Sequence, residues 1–272
     1  MAGIVLVFDF DKTIIDCDSD NWVVDALGAT DLFNQLLPTM PWNSLMDRMM
    51  TELHSQGKTM EDIAESLKSA PLHPQVITAI KSAYALGCEL RIVSDANLFF
   101  IETILKHHGL FAYFSEINTN PSFVDEDGKL RIFPFHDFTA SSHGCDICPP
   151  NMCKGLIMKR IISSMETKKR LIYLGDGKGD YCPSLKLREG DFVMPRKNLP
   201  LWNLITSNPC LLKAEVHGWS YGEDQERILL QLINRILLEE KNSPQLLSTD
   251  CKLETVPISA HEALPQALGV TH

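Results

Sequence analysis

The sequence predicts an α/β protein: a doubly wound, mostly parallel sheet interrupted once by an inserted helical cap. Three observations carry this expectation. Short continuous apolar and β-branched runs (3–8, GIVLVF; 89–93, ELRIV; 170–174, RLIYL; 191–194, DFVM) alternate with stretches of helical periodicity, the pattern of strands buried on both faces and joined by helices. The stretch between the first two runs is far too long for a single crossover and carries helical spacing throughout. Three of the runs end on a polar side chain, Asp9, Ser94 and Asp176, at the carboxyl ends where such sheets bind ligands.

Residues 3–8 form the first strand, bounded by Asp9. Between 21 and 67, Trp22, Val23, Leu27, then Leu32, Phe33, Leu36, Leu37, then Leu45, Met46, Met49, Met50, Leu53 recur at helical spacing. Pro38 and Pro41 interrupt them and Gly57 closes a helix. Three or four helices with no strand between them follow. The methionines and Trp42 read as helix-packing core rather than as a substrate surface. Residues 74–86 form a helix stopped by Gly87, 89–93 a strand, 98–108 a helix stopped by Gly109, and 114–118 a short strand. Residues 122–135 read as a hairpin with Asp125-Glu126-Asp127-Gly128 as its turn. A Cys-, Pro- and His-rich loop covers 136–153. A helix over 152–165, strands over 170–174 and 191–194, and an amphipathic closing helix over 228–240 complete a Rossmann-like core. The expected division is a core of residues 1–15 and 75–241, a cap of 16–74 and a poorly ordered tail over 242–272, where the helical period is lost.

Of 272 residues, 44% are hydrophobic and 22% charged, ordinary for a globular chain and contrary to collagen-like or wholly disordered sequences. The formal charge is −10, from 35 acidic and 25 basic residues, which disfavours a nucleic-acid partner. No apolar run is long enough to span a bilayer. Residues 2–8 lack preceding basic residues and lead into aspartates, so they read as a strand and not as a signal peptide. The expected setting is the cytoplasm, with thiols reduced.

Asp9-Phe10-Asp11-Lys12-Thr13 places two carboxylates one residue apart. One can attack phosphorus while the other moves a proton for the leaving group. Two carboxylates facing a phosphate repel it, so a divalent cation is needed, and hard Mg²⁺ suits oxygen ligands plus phosphate. Gly175-Asp176-Gly177-Lys178-Gly179-Asp180 adds carboxylates beside flexible backbone, and Lys154 adds a point charge. Any one of Asp9, Ser94 or Asp176 could be a helix cap; three at equivalent strand ends point to one crevice.

These pieces, in this order, resemble the haloacid dehalogenase superfamily of phosphatases. The resemblance implies a phospho-aspartyl intermediate on Asp9, with Asp11 as general acid and then base. It makes Ser94 and Lys154 phosphate-binding. Asp9, the Asp11 backbone carbonyl and Asp176 would hold Mg²⁺, supported by Asp180. Asp16-Cys17-Asp18-Ser19-Asp20-Asn21, Ser94-Asp95-Ala96-Asn97, residues 145–154 (CDICPPNMCK) and Asp180-Tyr181-Cys182-Pro183 are similar to the phosphoethanolamine/phosphocholine phosphatase family. Residues 20–49 resemble its plant branch, associated with phosphate starvation and also described as inorganic pyrophosphatase. In that family the carboxylates matching Asp20 and Asp95 face the cationic head group, which fits charge pairing with an ammonium; as alternatives, Asp20 caps a cap-domain helix and Asp95 makes a structural hydrogen bond.

The expected activity is therefore hydrolysis of small phosphomonoesters, phosphoethanolamine and phosphocholine foremost. A pyrophosphatase shares the whole catalytic set, and a non-catalytic phospholigand-binding protein is disfavoured because Asp9 and Asp11 are both present. His143-Gly144-Cys145-Asp146-Ile147-Cys148 with Cys153 admits a tetrahedral zinc, but the irregular spacing favours reduced, packed thiols.

Overall fold

The computed structural model describes residues 3–242; of the tail expected over 242–272, Asn242 instead ends the last helix and the rest lies outside the described residues. Along the chain come β1 (Ile4–Phe8), then α1 (Ser19–Ala26), α2 (Thr30–Leu36), α3 (Trp42–Ser55) and α4 (Met60–Lys68), with one 3-10 turn, Leu37–Thr39, after α2. Next are α5 (Pro74–Ala85), β2 (Glu89–Asn97), α6 (Leu98–His107), β3 (Phe114–Asn120) and the pair β4 (Ser122–Val124) and β5 (Leu130–Ile132). The chain ends with α7 (Lys154–Ser164), β6 (Arg170–Gly175), α8 (Tyr181–Ser184), β7 (Phe192–Pro195), α9 (Pro200–Ser207), β8 (Glu215–Val216) and α10 (Gly222–Asn242).

Six strands form one sheet in the order β3-β2-β1-β6-β7-β8, and each neighbouring pair is parallel. This is the doubly wound order, with its switch point between β1 and β6. Every residue of β1 is buried. Ile4, Leu6 and Phe8 point into one core with α5, α6, α10 and the cap helices. Val5 and Val7 point into the other with Ile157, Met158 and Ile161 of α7 and Leu201 and Ile205 of α9. A strand covered on both faces must be apolar at every position, which explains the unbroken IVLVF run; each such side chain contributes roughly 1.5–3 kcal/mol by leaving water.

In α3, Leu45, Met46, Met49, Met50 and Leu53 are buried, as helix-packing core requires. Asp18 caps α1 by accepting from the Asn21 N–H, and Thr59 with Asp62 forms a capping box on α4. The β4–β5 hairpin leans on α3: the Arg131 Nε and Nη2 donate to the two Asp47 oxygens at 2.9 and 2.8 Å, and the Ile132 N–H to Asp47 Oδ1 at 2.9 Å.

Several bounds differ from expectation. β2 runs on through Ser94 to Asn97, because Asn97 pairs with Asn120 after a register shift. The Asn120 amide donates to the Asp95 and Ala96 carbonyls at 2.7 and 2.9 Å, holding this polar extension in place. α7 starts at Lys154, two residues later than its apolar pattern suggested. α10 starts six residues early, since Gln225 is buried and donates to the Thr13 carbonyl at 2.9 Å. α8, α9 and β8 were not anticipated.

Candidate active site

Asp9 follows β1 and Asp176 follows β6, so the switch point sets two carboxylates side by side. Lys154 opens α7, with only 3% of its surface exposed. Its Nζ donates to Asp9 Oδ1 at 2.8 Å and Asp180 Oδ1 at 2.9 Å, and lies 3.6 Å from Asp95 Oδ1. Asp180 has no oxygen to spare. Oδ1 accepts from Lys154 and from the Tyr173 hydroxyl at 2.6 Å, and Oδ2 accepts from the Asp176 and Gly177 N–H groups at 3.0 and 2.9 Å. A carboxylate offers about four lone-pair sites, so these four bonds commit it to positioning the loop. A Cβ at position 175 would lie 2.6 Å from Asp180 Cγ, and only glycine permits that approach.

Asp11 is placed by a tight turn. The Phe10 carbonyl accepts from the Thr13, Ile14 and Ile15 N–H groups, and Lys12 adopts a left-handed φ of 53°, an uncommon state for a residue with a side chain. Asp11 Oδ1 accepts from the Ser19 N–H at 3.0 Å. Arg196 straps this turn to the end of β7, donating to the Lys12 carbonyl at 2.9 Å and to Asp16.

The charges are strongly coupled. Burial and Asp180 push the Asp9 carboxyl well above the carboxylate range, against the pull of Lys154. Burial and Asp180 likewise push Asp176 up to about 7. Asp180 itself is held low: Lys154 and the Tyr173 hydroxyl outweigh its burial. Burial, then Asp18 and Asp20, raise Asp11 well above the usual range. Oxygens of Asp9, Asp176 and Asp180 lie within 4.8 Å of one another. With Asp180 committed to Lys154 and the loop, the hard oxygens of Asp9 and Asp176 suit Mg²⁺, which would relieve the repulsion that raises both.

Ser94 is fully buried one strand over from Asp9, its Oγ accepting from the Ala96 N–H at 3.3 Å. Asp95 is exposed, its side chain 48% accessible, and faces Lys154. Asp20 lies in the first turn of α1, buried. It accepts from the Trp42 indole N–H at 2.7 Å, and burial, Asp18 and Asp95 push it to about 8 despite that bond. Trp42 is thus 40% exposed and tied to an acid, unlike the core methionines beside it. Tyr173 and Arg196 were not singled out from sequence. Tyr173 reads as one more strand residue, and Arg196 reveals itself only through a contact 184 residues away.

Two carboxylates two residues apart, a buried lysine and a buried acidic loop meet at one switch point, an arrangement that fits a phosphatase of the haloacid dehalogenase type. A family model described as "Putative Phosphatase" matches residues 4–233, and the chain belongs to that family. It is 64% identical to "Inorganic pyrophosphatase 2" of Arabidopsis thaliana over 257 residues, 92% of each chain. It is 57% identical to "Thiamine phosphate phosphatase-like protein" of the same plant, over 88% of this chain and 99% of that one. It is 32% identical to "Phosphoethanolamine/phosphocholine phosphatase" of Homo sapiens, over 84% and 89%. The fold is shared with a phospho-aspartyl intermediate analogue of phosphoserine phosphatase: TM-score 0.55 at 15% identity, over 84% of this chain and 97% of that one.

Proposed function

We propose that the protein is a Mg²⁺-dependent phosphomonoesterase that hydrolyses phosphoethanolamine and phosphocholine in the cytosol, with residues 16–74 as a cap over a core of 1–15 and 75–241. The observation that carries the substrate class is the acidic mouth. Asp95 lies close enough to Asp20 to raise the cost of charging it, and the half-exposed Trp42 ring is bonded to Asp20. Two carboxylates and an aromatic face suit an ammonium or trimethylammonium group. A cation there would also return Asp20 to its charged form.

The reaction follows from the placement of the groups. Asp9 attacks phosphorus, the bond from phosphorus to the leaving oxygen breaks, and Asp11 gives that oxygen its proton. Asp11 is suited to this because burial, then Asp18 and Asp20, raise its carboxyl well above the usual range and so favour the protonated form. Ser94 and Lys154 bind the phosphoryl oxygens. A water then yields a proton to Asp11 and attacks phosphorus, which frees Asp9 and releases inorganic phosphate. Mg²⁺ held by Asp9, the Asp11 carbonyl and Asp176 would neutralise the anionic cluster toward the phosphoryl group. Asp180 keeps Lys154 and the Asp176 backbone in place.

A second reading, inorganic pyrophosphatase, is favoured by the name of the 64% identical relative. Pyrophosphate has no cation to reward Asp20 or Asp95. Asn substitution at either should lower kcat/KM for phosphoethanolamine roughly ten- to a hundredfold, the worth of one charge-assisted contact, and spare pyrophosphate. Steady-state assays on phosphoethanolamine, phosphocholine, thiamine monophosphate and pyrophosphate decide it. Equal losses on all four make the two carboxylates structural, and a gain confined to pyrophosphate puts the second reading ahead.

A further inference from the structure

Outside the carboxylate network, four thiols converge. Cys145, Cys148, Cys153 and Cys182 each offer a sulfur within 4.8 Å of the other three, and all four are free. Cys145 Sγ lies 3.7 Å from Cys182 Sγ. That is far longer than the ~2.05 Å of a disulfide. It matches the edge of about 3.8 Å that a tetrahedron has when its centre is ~2.3 Å from each sulfur.

The convergence is built from distant pieces of chain. Cys145 and Cys148 come from the loop before α7, Cys153 is the α7 N-cap, and Cys182 sits in α8. Cys182 approaches only because residue 155 is glycine: a Cβ there would lie 2.3 Å from Cys182 Sγ. His143, the other ligand-type residue of the segment, is spent on shaping the loop. Its Nε2 lies 2.9 Å from the Pro149 carbonyl and its Nδ1 accepts from the Cys145 N–H at 3.1 Å. The fourth corner is therefore Cys182, which the local spacing around Cys148 does not reveal.

We propose that these four cysteines bind one Zn²⁺ as a closed, structural tetrathiolate site. Binding replaces four S–H bonds with four Zn–S bonds and releases four protons, leaving a net charge of −2 on the site. With no position left for water, the metal has no catalytic task. It ties two segments that the active site needs held together: Cys153 immediately precedes Lys154, and Cys182 follows Asp180 by two residues.

Untagged protein, purified and then dialysed against excess Mg²⁺, is assayed by mass spectrometry for metal content. The expected result is about one zinc per chain, as a closed four-ligand site holds. Cys148→Ser and Cys182→Ser should each lose most of it, and Asp176→Asn should keep it. Cobalt exchanged into the wild-type protein should give the intense visible bands of a tetrahedral tetrathiolate. If the cysteine variants fail to fold, wild-type zinc content and the cobalt spectrum decide alone. Four free thiols that take up neither zinc nor cobalt, disulfides among these cysteines, iron in place of zinc, or zinc that is lost with Asp176→Asn and kept in Cys148→Ser would each overturn the proposal.

Discussion

Two clusters of four ligand-type side chains adjoin one another where Cys153 precedes Lys154 and Cys182 follows Asp180, yet they are built on opposite terms. Asp9, Asp95 and Asp180 approach a cation the protein itself supplies, the Lys154 ammonium, and Asp176 feels its charge. Among the described residues, no charged side chain donates a hydrogen bond to Cys145, Cys148, Cys153 or Cys182; Cys145 and Cys182 share one with each other. Burial and mutual repulsion make charge on Asp9 and Asp176 costly, and Lys154 offsets part of that cost. Among the thiols the charge is uneven: the Cys182 thiol and burial push Cys148 up, burial pushes Cys153 up, and the Cys148 thiol pulls Cys182 down to about 5. The carboxylates thus have a cation built in, and the thiols lack one until a metal displaces their protons.

Three substitutions would break or sharpen this contrast. The largest effect should come from Asp9→Asn, which keeps size but removes the attacking charge. Turnover should fall at least about a thousandfold, as with other nucleophile removals, while thermal unfolding stays cooperative. Acid-quenched wild-type protein should carry a phosphate on Asp9, read by mass spectrometry, and substantial turnover in a variant free of deamidation would discard the mechanism. Next is Lys154→Met. Burial depresses an ammonium, but Asp180, Asp9 and Asp95 hold Lys154 well above the lysine range. Removing it strands buried carboxylates and should cost about 3–5 kcal/mol in denaturant unfolding without Mg²⁺. Added Mg²⁺ should return part of that loss; an unchanged midpoint would mean that Lys154 does not hold the cluster. Smallest is Tyr173→Phe, which deletes the hydroxyl bonded to Asp180. A loss of about 1–3 kcal/mol is expected for a bond to a charged acceptor. A loss beyond the Lys154→Met value would reverse the ranking of the two supports.

Much of this was readable in advance because strands at the centre of a doubly wound sheet must be apolar throughout. IVLVF, ELRIV and RLIYL stand out from the sequence, and so do the polar residues that end them. What escaped depends on tertiary partners. β8 has only two residues, Glu215 and Val216, and exists by pairing with β7. α9 is eight residues long and opens at Pro200, so its pattern is too short to separate from loop. The tail of β2, Ser94 to Asn97, is polar and is a strand only through Asn120. In the site, Asp9, Asp176 and Lys154 were legible from order and strand ends, and the structure brings them together. Tyr173 carries no local signal, and Cys182 stands in the sequence only as part of the Asp180–Pro183 motif, because each acquires its partner from another element.

The position of β1 has a consequence for how the enzyme is made. Its neighbours pair at Glu89 on one side and Arg170 on the other, and the turn after it is braced by Gln225 of α10. Among the described strands, β1 is therefore the one that must wait longest for its partners. Until the chain has grown past Gly175, the Asp9 strand has only one flank, and its unpaired edge is a hazard for association with other chains. Such long-range pairing slows folding, since the entropy of closing each loop is lost before the contacts form. Asp9 thus meets Lys154, and its strand gains the β6 flank, only after all the intervening chain has been made.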